Sequence, residues 1–296
     1  MYRLLPTCQR FRAALACVAM VFSSQAFAVG EEMTMPTDPG GLPSNGDDFR
    51  IGIGGIETPA FIGSETQRKL LVPAFSATFN GEYYVGSSYT GVGGGVGMLL
   101  DKQPGFIWSV GVAGAQSRLQ DWAPELQGMG DQHAALFVNS GMSWRTGAFH
   151  VSGGIATGLR GNEGSLARIE VGLSGPIAPH WIVGVGADAL AVNRQQNNFD
   201  YGINDQQAAT RAALIASGSS DLIPGEAGPY TAAGGIQRTG YGVFVAYAFD
   251  KHWSLAGFWG QAQLQGSAED SPLVRTHTGD SFGLFLSYRF STAEAQ

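Results

Sequence analysis

The 296-residue chain has 44 glycines, 11% aromatic residues and only 14% charged residues, whereas soluble domains carry about a quarter charged residues and roughly half as much glycine. Seventeen Lys and Arg against 24 Asp and Glu leave a formal net charge of −7, which excludes the basic footprint of a nucleic-acid-binding protein. Its 44% hydrophobic content excludes a disordered chain, and a mean hydropathy near zero fits a membrane protein whose apolar and polar residues alternate as well as it fits a soluble one.

At the N-terminus, Arg3, Arg10 and Arg12 accompany an apolar stretch from Ala13 to Phe22, and Ala26-Phe27-Ala28 has the A-x-A form of a cleavage site. Residues 1–28 are therefore expected to be an export signal peptide. Its removal takes away three arginines and no acid, so the mature chain is more acidic still. Both cysteines, Cys8 and Cys17, go with it, and Ala14-Leu15-Ala16 is a poor lipobox for Cys17. An exported chain without cysteine is not a disulfide scaffold. Beyond Ala28 there is no apolar run of the roughly eighteen residues that a transmembrane helix needs. Residues 29–47, rich in Glu, Asp, Pro, Gly and Ser, are expected to form a flexible periplasmic leader.

From Phe49 the chain becomes a series of period-two segments, the pattern of strands with two different faces. About twelve are predicted, near 49–56, 68–79, 82–87, 91–100, 105–118, 132–145, 147–158, 165–175, 180–193, 235–249, 252–265 and 277–290. Ten remain possible if 82–87 and one neighbour stay out of the sheet. In the last segment Phe282, Leu284, Leu286, Tyr288 and Phe290 share one face, opposed by Ser281, Gly283, Ser287 and Arg289, with Phe285 breaking the pattern. Ala167, Ile169, Val171 and Leu173 likewise alternate with Arg168, Glu170, Gly172 and Ser174. Glycine weakens an ordinary strand, so a face of glycine and small polar residues points to a crowded or wet barrel interior. Several segments exceed the usual globular strand length of about five or six and reach the roughly 9–11 residues of a tilted membrane-spanning strand.

The connections sort in the same sense. Short inside turns are predicted at Asn80-Gly81, 101–104, Thr146, 176–179 and Asp250-Lys251, alternating with outside loops near 57–67, 88–90, 119–131, 159–164, 194–234 and 266–276. Short periplasmic turns, longer outside loops and an even strand count are the marks of an outer-membrane barrel. The aromatics Trp108, Trp144, Trp181, Trp253, Tyr247, Tyr288 and Phe290 fall near strand ends, where interfacial girdles belong. The expected fold is an all-β, antiparallel transmembrane barrel over residues 48–290, followed by a short tail at 291–296, in the outer membrane of a Gram-negative cell among lipid and lipopolysaccharide.

Chemistry is sparse. His180-Trp181 and His252-Trp253 each open a strand after an inside turn, either as a paired polar site at the periplasmic rim or as interfacial turn residues. The chain has no G-x-S-x-G nucleophile elbow. Ser271, His277 and Asp280 lie close enough in sequence to be imagined as a triad, a constellation recognised by geometry rather than spacing. Gly91 to Gly97 superficially resembles a phosphate loop but lacks the Lys-Ser/Thr ending and following helix, so strand glycines account for it. Acids collect in the outside loops, among them Glu57, Glu65, Asp121, Glu125, Asp131, Asp200, Asp205, Asp221, Glu226, Glu269 and Asp270, either to bind divalent cations or repel anions, or as solvated loop surface. The Ala-rich stretch Gln206 to Ala216 is expected to form a short helix able to fold over the opening. No catalytic, cofactor-binding or metal-ligating residue is predicted.

Two blocks resemble the MipA/OmpV family of outer-membrane proteins. One runs from Ile51 through Thr58-Pro59-Ala60-Phe61-Ile62-Gly63-Ser64 to Val72-Pro73, with Phe61 where the family usually has Tyr. The other comprises Tyr201-Gly202-Ile203, Tyr230-Thr231-Ala232, His252-Trp253, Leu264 to Val274 and Tyr288-Arg289-Phe290, in the family's order. The resemblance spans most of 50–290, with an enlarged segment between Gln207 and Gly228. It implies a non-enzymatic scaffold at the inner face of the outer membrane, holding a lytic transglycosylase and a murein synthase together for peptidoglycan synthesis and hydrolysis. The residues also leave open a small-solute pore or gated channel and, third, a barrel hydrolase dependent on Ser271 or His277.

Overall fold

In this computed structural model, residues 48–87, 93–160 and 163–291 are described. The expected signal peptide, the leader, the tail beyond Ser291 and the 88–90 loop lie outside them. Twelve strands form one closed antiparallel barrel: β1 (Asp48–Pro59), β2 (Gln67–Phe79), β3 (Tyr83–Ser87), β4 (Gly94–Gln103), β5 (Phe106–Ala115), β6 (Ala135–Thr146), β7 (Phe149–Gly158), β8 (Ser165–Ala178), β9 (Trp181–Val192), β10 (Gly235–Ala248), β11 (Trp253–Leu264) and β12 (Thr278–Ser291). Each pairs with its sequence neighbours, and β1 closes on β12 from Asp48↔Ser291 to Glu57↔Phe282. Closure satisfies every strand edge internally, which hydrocarbon demands because no water is there to bond a free N–H or C=O.

The period-two pattern resolves into a lipid face and a lumen face. Ile51, Ile53, Leu71, Val138, Met142, Ile155, Ile169, Val171, Leu173, Val185, Val243, Val245, Phe282, Leu284 and Leu286 are exposed around the outside as an apolar belt. Inward, Arg168 and Glu170 on β8, His150 and Ser152 on β7, Asn139 on β6 and Ser109 on β5 are buried. Phe285, which breaks the pattern of β12, is an inward residue packed with Ile56 and Val72.

The glycine face is crowded, and its crowding is specific. A Cβ on Gly54 would overlap the Phe285 ring, one on Gly184 the Phe244 ring, and one on Gly172 the His150 ring. A Cβ on Gly97 or Gly283 would come within 2.6 Å of Tyr84 and Phe258 respectively. Each glycine thus leaves room for a ring from a neighbouring strand, which offsets the intrinsic cost of glycine in a strand.

Long and short connections segregate to opposite ends. The short ones are 80–82, 104–105, 147–148, 179–180 and 249–252, on the same end as Asp48 and Ser291. This is the periplasmic end of an outer-membrane barrel. Three turns sit a little beyond their expected positions. The turn placed at Thr146 is Gly147-Ala148, with Gly147 at φ +55°; that placed at 101–104 is Pro104-Gly105; and that placed at 176–179 is Pro179-His180, with His180 at φ +69°. In the last case β8 continues through a register irregularity between Pro176 and Ala178, so proline marks a distortion inside the strand rather than its end. All seven aromatics expected near strand ends lie at this one end. Trp181 packs on Tyr247 at 4.8 Å and Trp253 on Tyr288 at 4.9 Å, and Phe290 joins Tyr288 at 4.6 Å.

Candidate functional site

At the opposite end the loops fold into a roof. The longest, 193–234, begins with α1 (Arg194–Tyr201) and α2 (Asp205–Ser217), the latter realising the helix expected over 206–216. Asn193 caps α1 by accepting from Gln196 N at 2.8 Å. A reciprocal capping box between Asn204 and Gln207 opens α2, and Gly218 at φ +66° ends it in the left-handed region that suits glycine. The roof's underside is an apolar cluster drawn from four loops: Phe61 and Ile62, Leu126 and Met129, Tyr201 and Ile203, and Leu264 with Leu273. Tyr201 Oη donates to Ile62 O at 2.9 Å, Ser271 Oγ to Tyr201 O at 2.7 Å and Gln207 Nε2 to Met129 O at 2.8 Å.

A buried charge cluster ties three of these loops together. Arg211 on α2 is fully buried, its guanidinium donating to Glu226 O at 2.7 Å, Glu125 O at 2.7 Å and Gln127 O at 2.9 Å. Arg275 donates to the Glu226 carboxylate at 2.6 and 3.1 Å and lies 3.8 Å from that of Glu125, itself fully buried. Burial pushes the Arg211 guanidinium down from its ordinary value, with Glu226 and Glu125 opposing; the hydrogen bonds to Glu226 hold Arg275 up. The outside-loop acids are therefore not uniformly solvated surface, since Glu125, Glu226 and the Asp200 carboxyl are interior. Among the described residues no group of three His, Cys, Asp or Glu side chains could hold a metal ion.

Beneath the roof lies a cavity of about 130 Å³. Its lining combines Leu70, Phe137, Leu166, Leu190 and Val192 with Arg68, Arg118, Arg238, Gln196, Gln237 and Asp200. Arg68 lies 3.5 Å over the Trp122 ring. Asp200 accepts from Gln237 Nε2 at 2.8 Å and from Gln196 Nε2 at 3.0 and 3.1 Å. Burial raises its carboxyl above the ordinary value, against those two hydrogen bonds and the charge of Arg118. Deeper in the lumen, Arg168 pairs with Asp188 at 3.1 Å and Glu170 at 3.2 Å, Arg238 with Asp188 at 3.4 Å, and His150 with Glu170 at 3.4 Å.

The imagined triad is not assembled. Ser271 Oγ is committed to Tyr201 O and accepts from Leu273 N, while His277 and Asp280 are exposed, Asp280 accepting from Gln261 Nε2 at 3.0 Å. The two rim histidines belong to separate aromatic clusters. His180 faces Tyr247 at 6.1 Å, and His252 stacks on Tyr288 at 5.4 Å with Nδ1 2.9 Å from Arg289 O. Sequence reasoning missed the lumen ion pairs, although Arg168 and Glu170 stand two apart on one face. It also missed the Arg211 cluster, whose members are scattered over three loops.

A closed twelve-strand barrel with an apolar outer belt, a periplasmic aromatic girdle and loops gathered at the far end is an outer-membrane β-barrel protein. The chain belongs to the MipA family: the family model described as MltA-interacting protein MipA matches residues 51–290. Solved structures similar to it are outer-membrane barrels. The COG4313 outer membrane channel from Pseudomonas putida F1 is 10% identical, with a TM-score of 0.41 over 87% of this chain and 100% of that one. OprB from Pseudomonas putida is 9% identical, with a TM-score of 0.39 over 83% of this chain and 94% of that one. No curated protein matches the sequence.

Proposed function

We propose that this barrel is a non-enzymatic scaffold, held in the outer membrane and presenting its periplasmic end to a lytic transglycosylase and a murein synthase. The observation that carries the reading is the roof over the outer end: four loops share one apolar cluster and three of them one buried charge cluster, an arrangement suited to a rigid body rather than to a free diffusion path. The family's description as an interacting protein points the same way. Residues 1–28 act as the export signal and 29–47 as the leader. With periplasmic turns as short as 104–105 and 147–148, the leader and the rim must supply most of the contact area. A stable interface takes about 800 Å² per partner, so the association is transient.

In-cell crosslinking of the tagged mature chain tests this. A lytic transglycosylase or murein synthase should be recovered above an unrelated barrel control, and recovery should fall when 29–47 is deleted. Capture of assembly factors and lipopolysaccharide alone would overturn it. The cavities along the lumen favour one second reading, a gated pore for small solutes. That reading predicts conductance in planar bilayers that rises when 206–228 is removed, and silence in both forms would end it.

A further inference from the structure

We propose that the lipid-facing patch at the outer ends of β10, β11 and β12 binds the amino-sugar headgroup of an outer-leaflet glycolipid. Strand register sets six side chains there in two rows. Tyr241 stands opposite Gln261 and Gln261 opposite Asp280; one rung nearer the periplasm, Val243 stands opposite Trp259 and Trp259 opposite Phe282. Tyr241, Val243, Trp259, Phe282 and Asp280 are exposed on the outer face of the wall. The upper row is a directed ladder, with Tyr241 Oη donating to Gln261 Oε1 at 2.8 Å and Gln261 Nε2 to Asp280 Oδ1 at 3.0 Å. It leaves a second Gln261 N–H and the other Asp280 oxygen to an occupant. The lower row is apolar, and its Trp259 meets Tyr241 edge-on at 5.7 Å.

Height selects the lipid. Gln261 lies eight residues beyond Trp253, and Asp280 ten before Phe290, both members of the periplasmic girdle. With a rise of about 3.4 Å per residue and a tilt near 40°, the ladder stands roughly 21–26 Å above that girdle, at the top of an apolar band about 25 Å tall. This is the headgroup level of the outer leaflet, which inner-leaflet lipids do not reach. Like heights on β7 and β8 stay apolar, since Leu159, ten residues beyond Phe149, and Ile169, eight before Ile177, are exposed. The polar row is therefore not a feature of the whole rim. A sugar ring suits both rows: its C–H faces rest on the electronegative faces of Tyr241 and Trp259, and its hydroxyl and N-acyl N–H groups reach the ladder. Acyl chains then descend beside Leu284, which Gly257 and Gly55 flank on the outer face. A Cβ on Gly55 would meet nothing within 4 Å, so the wall is furrowed there. A phospholipid would use the furrow and leave the ladder unused. The inference does not depend on the scaffold reading, because it involves no periplasmic surface.

The test uses the mature chain refolded in detergent micelles free of glycolipid and followed by native mass spectrometry. Lipid A is the probe, and cardiolipin, which carries phosphates and acyl chains but no sugar, is the control. One lipid A per barrel is expected, at least tenfold tighter than cardiolipin. Gln261→Leu breaks the ladder and keeps the wall apolar, while Trp259→Leu removes the aromatic platform. Each should weaken lipid A binding at least tenfold and leave cardiolipin binding unchanged. Folding of both variants is checked by their resistance to unfolding in unheated SDS, and if one does not fold the other decides alone. Equal lipid A binding by wild type and a folded variant, or cardiolipin binding as well as lipid A, would overturn the assignment. So would a dimer that forms without lipid A and is lost in Gln261→Leu, which would make the patch a contact between copies of this chain.

Discussion

A single side chain, Arg211, ties its own loop to the 116–134 loop through three backbone carbonyls, and its charge sits in an interior where Glu125 and Glu226 balance it. Arg211→Ala leaves those carbonyls without their donor and takes one charge out of a buried cluster, and loss of one partner from a buried charge cluster costs about 3–5 kcal/mol. The barrel should survive while the roof loosens, measured as faster protease cleavage within 194–234 at unchanged strand content by circular dichroism. Gly184 offers a second test at this scale. Gly184→Ala drives a methyl into the Phe244 ring and should lower stability by about 1–3 kcal/mol, read from urea unfolding in micelles. Pairing it with Phe244→Leu should recover most of the loss. Neither residue announces its role in the sequence: the glycine face was legible as a face, but which ring lies on which glycine depends on register across strands.

At the scale of elements, what was legible is what repeats. Period-two alternation marked all twelve strands, because lipid on one side and a packed lumen on the other leave each residue only two options. The turns were harder. Thr146 was expected where Gly147-Ala148 stands, since a strand can run one residue further whenever the next residue tolerates its geometry. The roof was legible only as a helix, from the Ala-rich run Gln206 to Ala216, whereas Glu125 and Asp200 find Arg275 and Gln237 far along the chain. α1 gives a pH prediction. The Asp200 carboxyl has a raised pKa, so the folded roof binds the proton more tightly than the unfolded chain does. This contribution to stability is complete below the ordinary carboxylate pKa and is lost as pH rises through the folded value. Asp200→Asn mimics the protonated form. Its melting temperature minus that of the wild type should therefore grow as pH is raised, and a difference flat with pH would contradict the assignment.

For the whole molecule, the roof and the wall are made by different rules. Apart from the closure of β1 on β12, the wall is local, each strand pairing with its neighbour in sequence, and it could be read from sequence for that reason. The roof is non-local: Phe61 and Ile62 come from the connection after β1, Leu264 and Leu273 from the end of β11 and the connection before β12. These two regions are far apart in the chain and meet because β1 pairs with β12.

That meeting has a consequence for quality control during biogenesis. Until the first and last strands zip together, Phe61 and Leu273 have no common ground, and the long 193–234 segment has nothing to lie on. An unfinished barrel thus leaves Phe61, Leu273 and the apolar underside of that loop uncovered, and a finished one buries them. A periplasmic protease need only sample that loop to distinguish the two, so the chain carries its own receipt of completion.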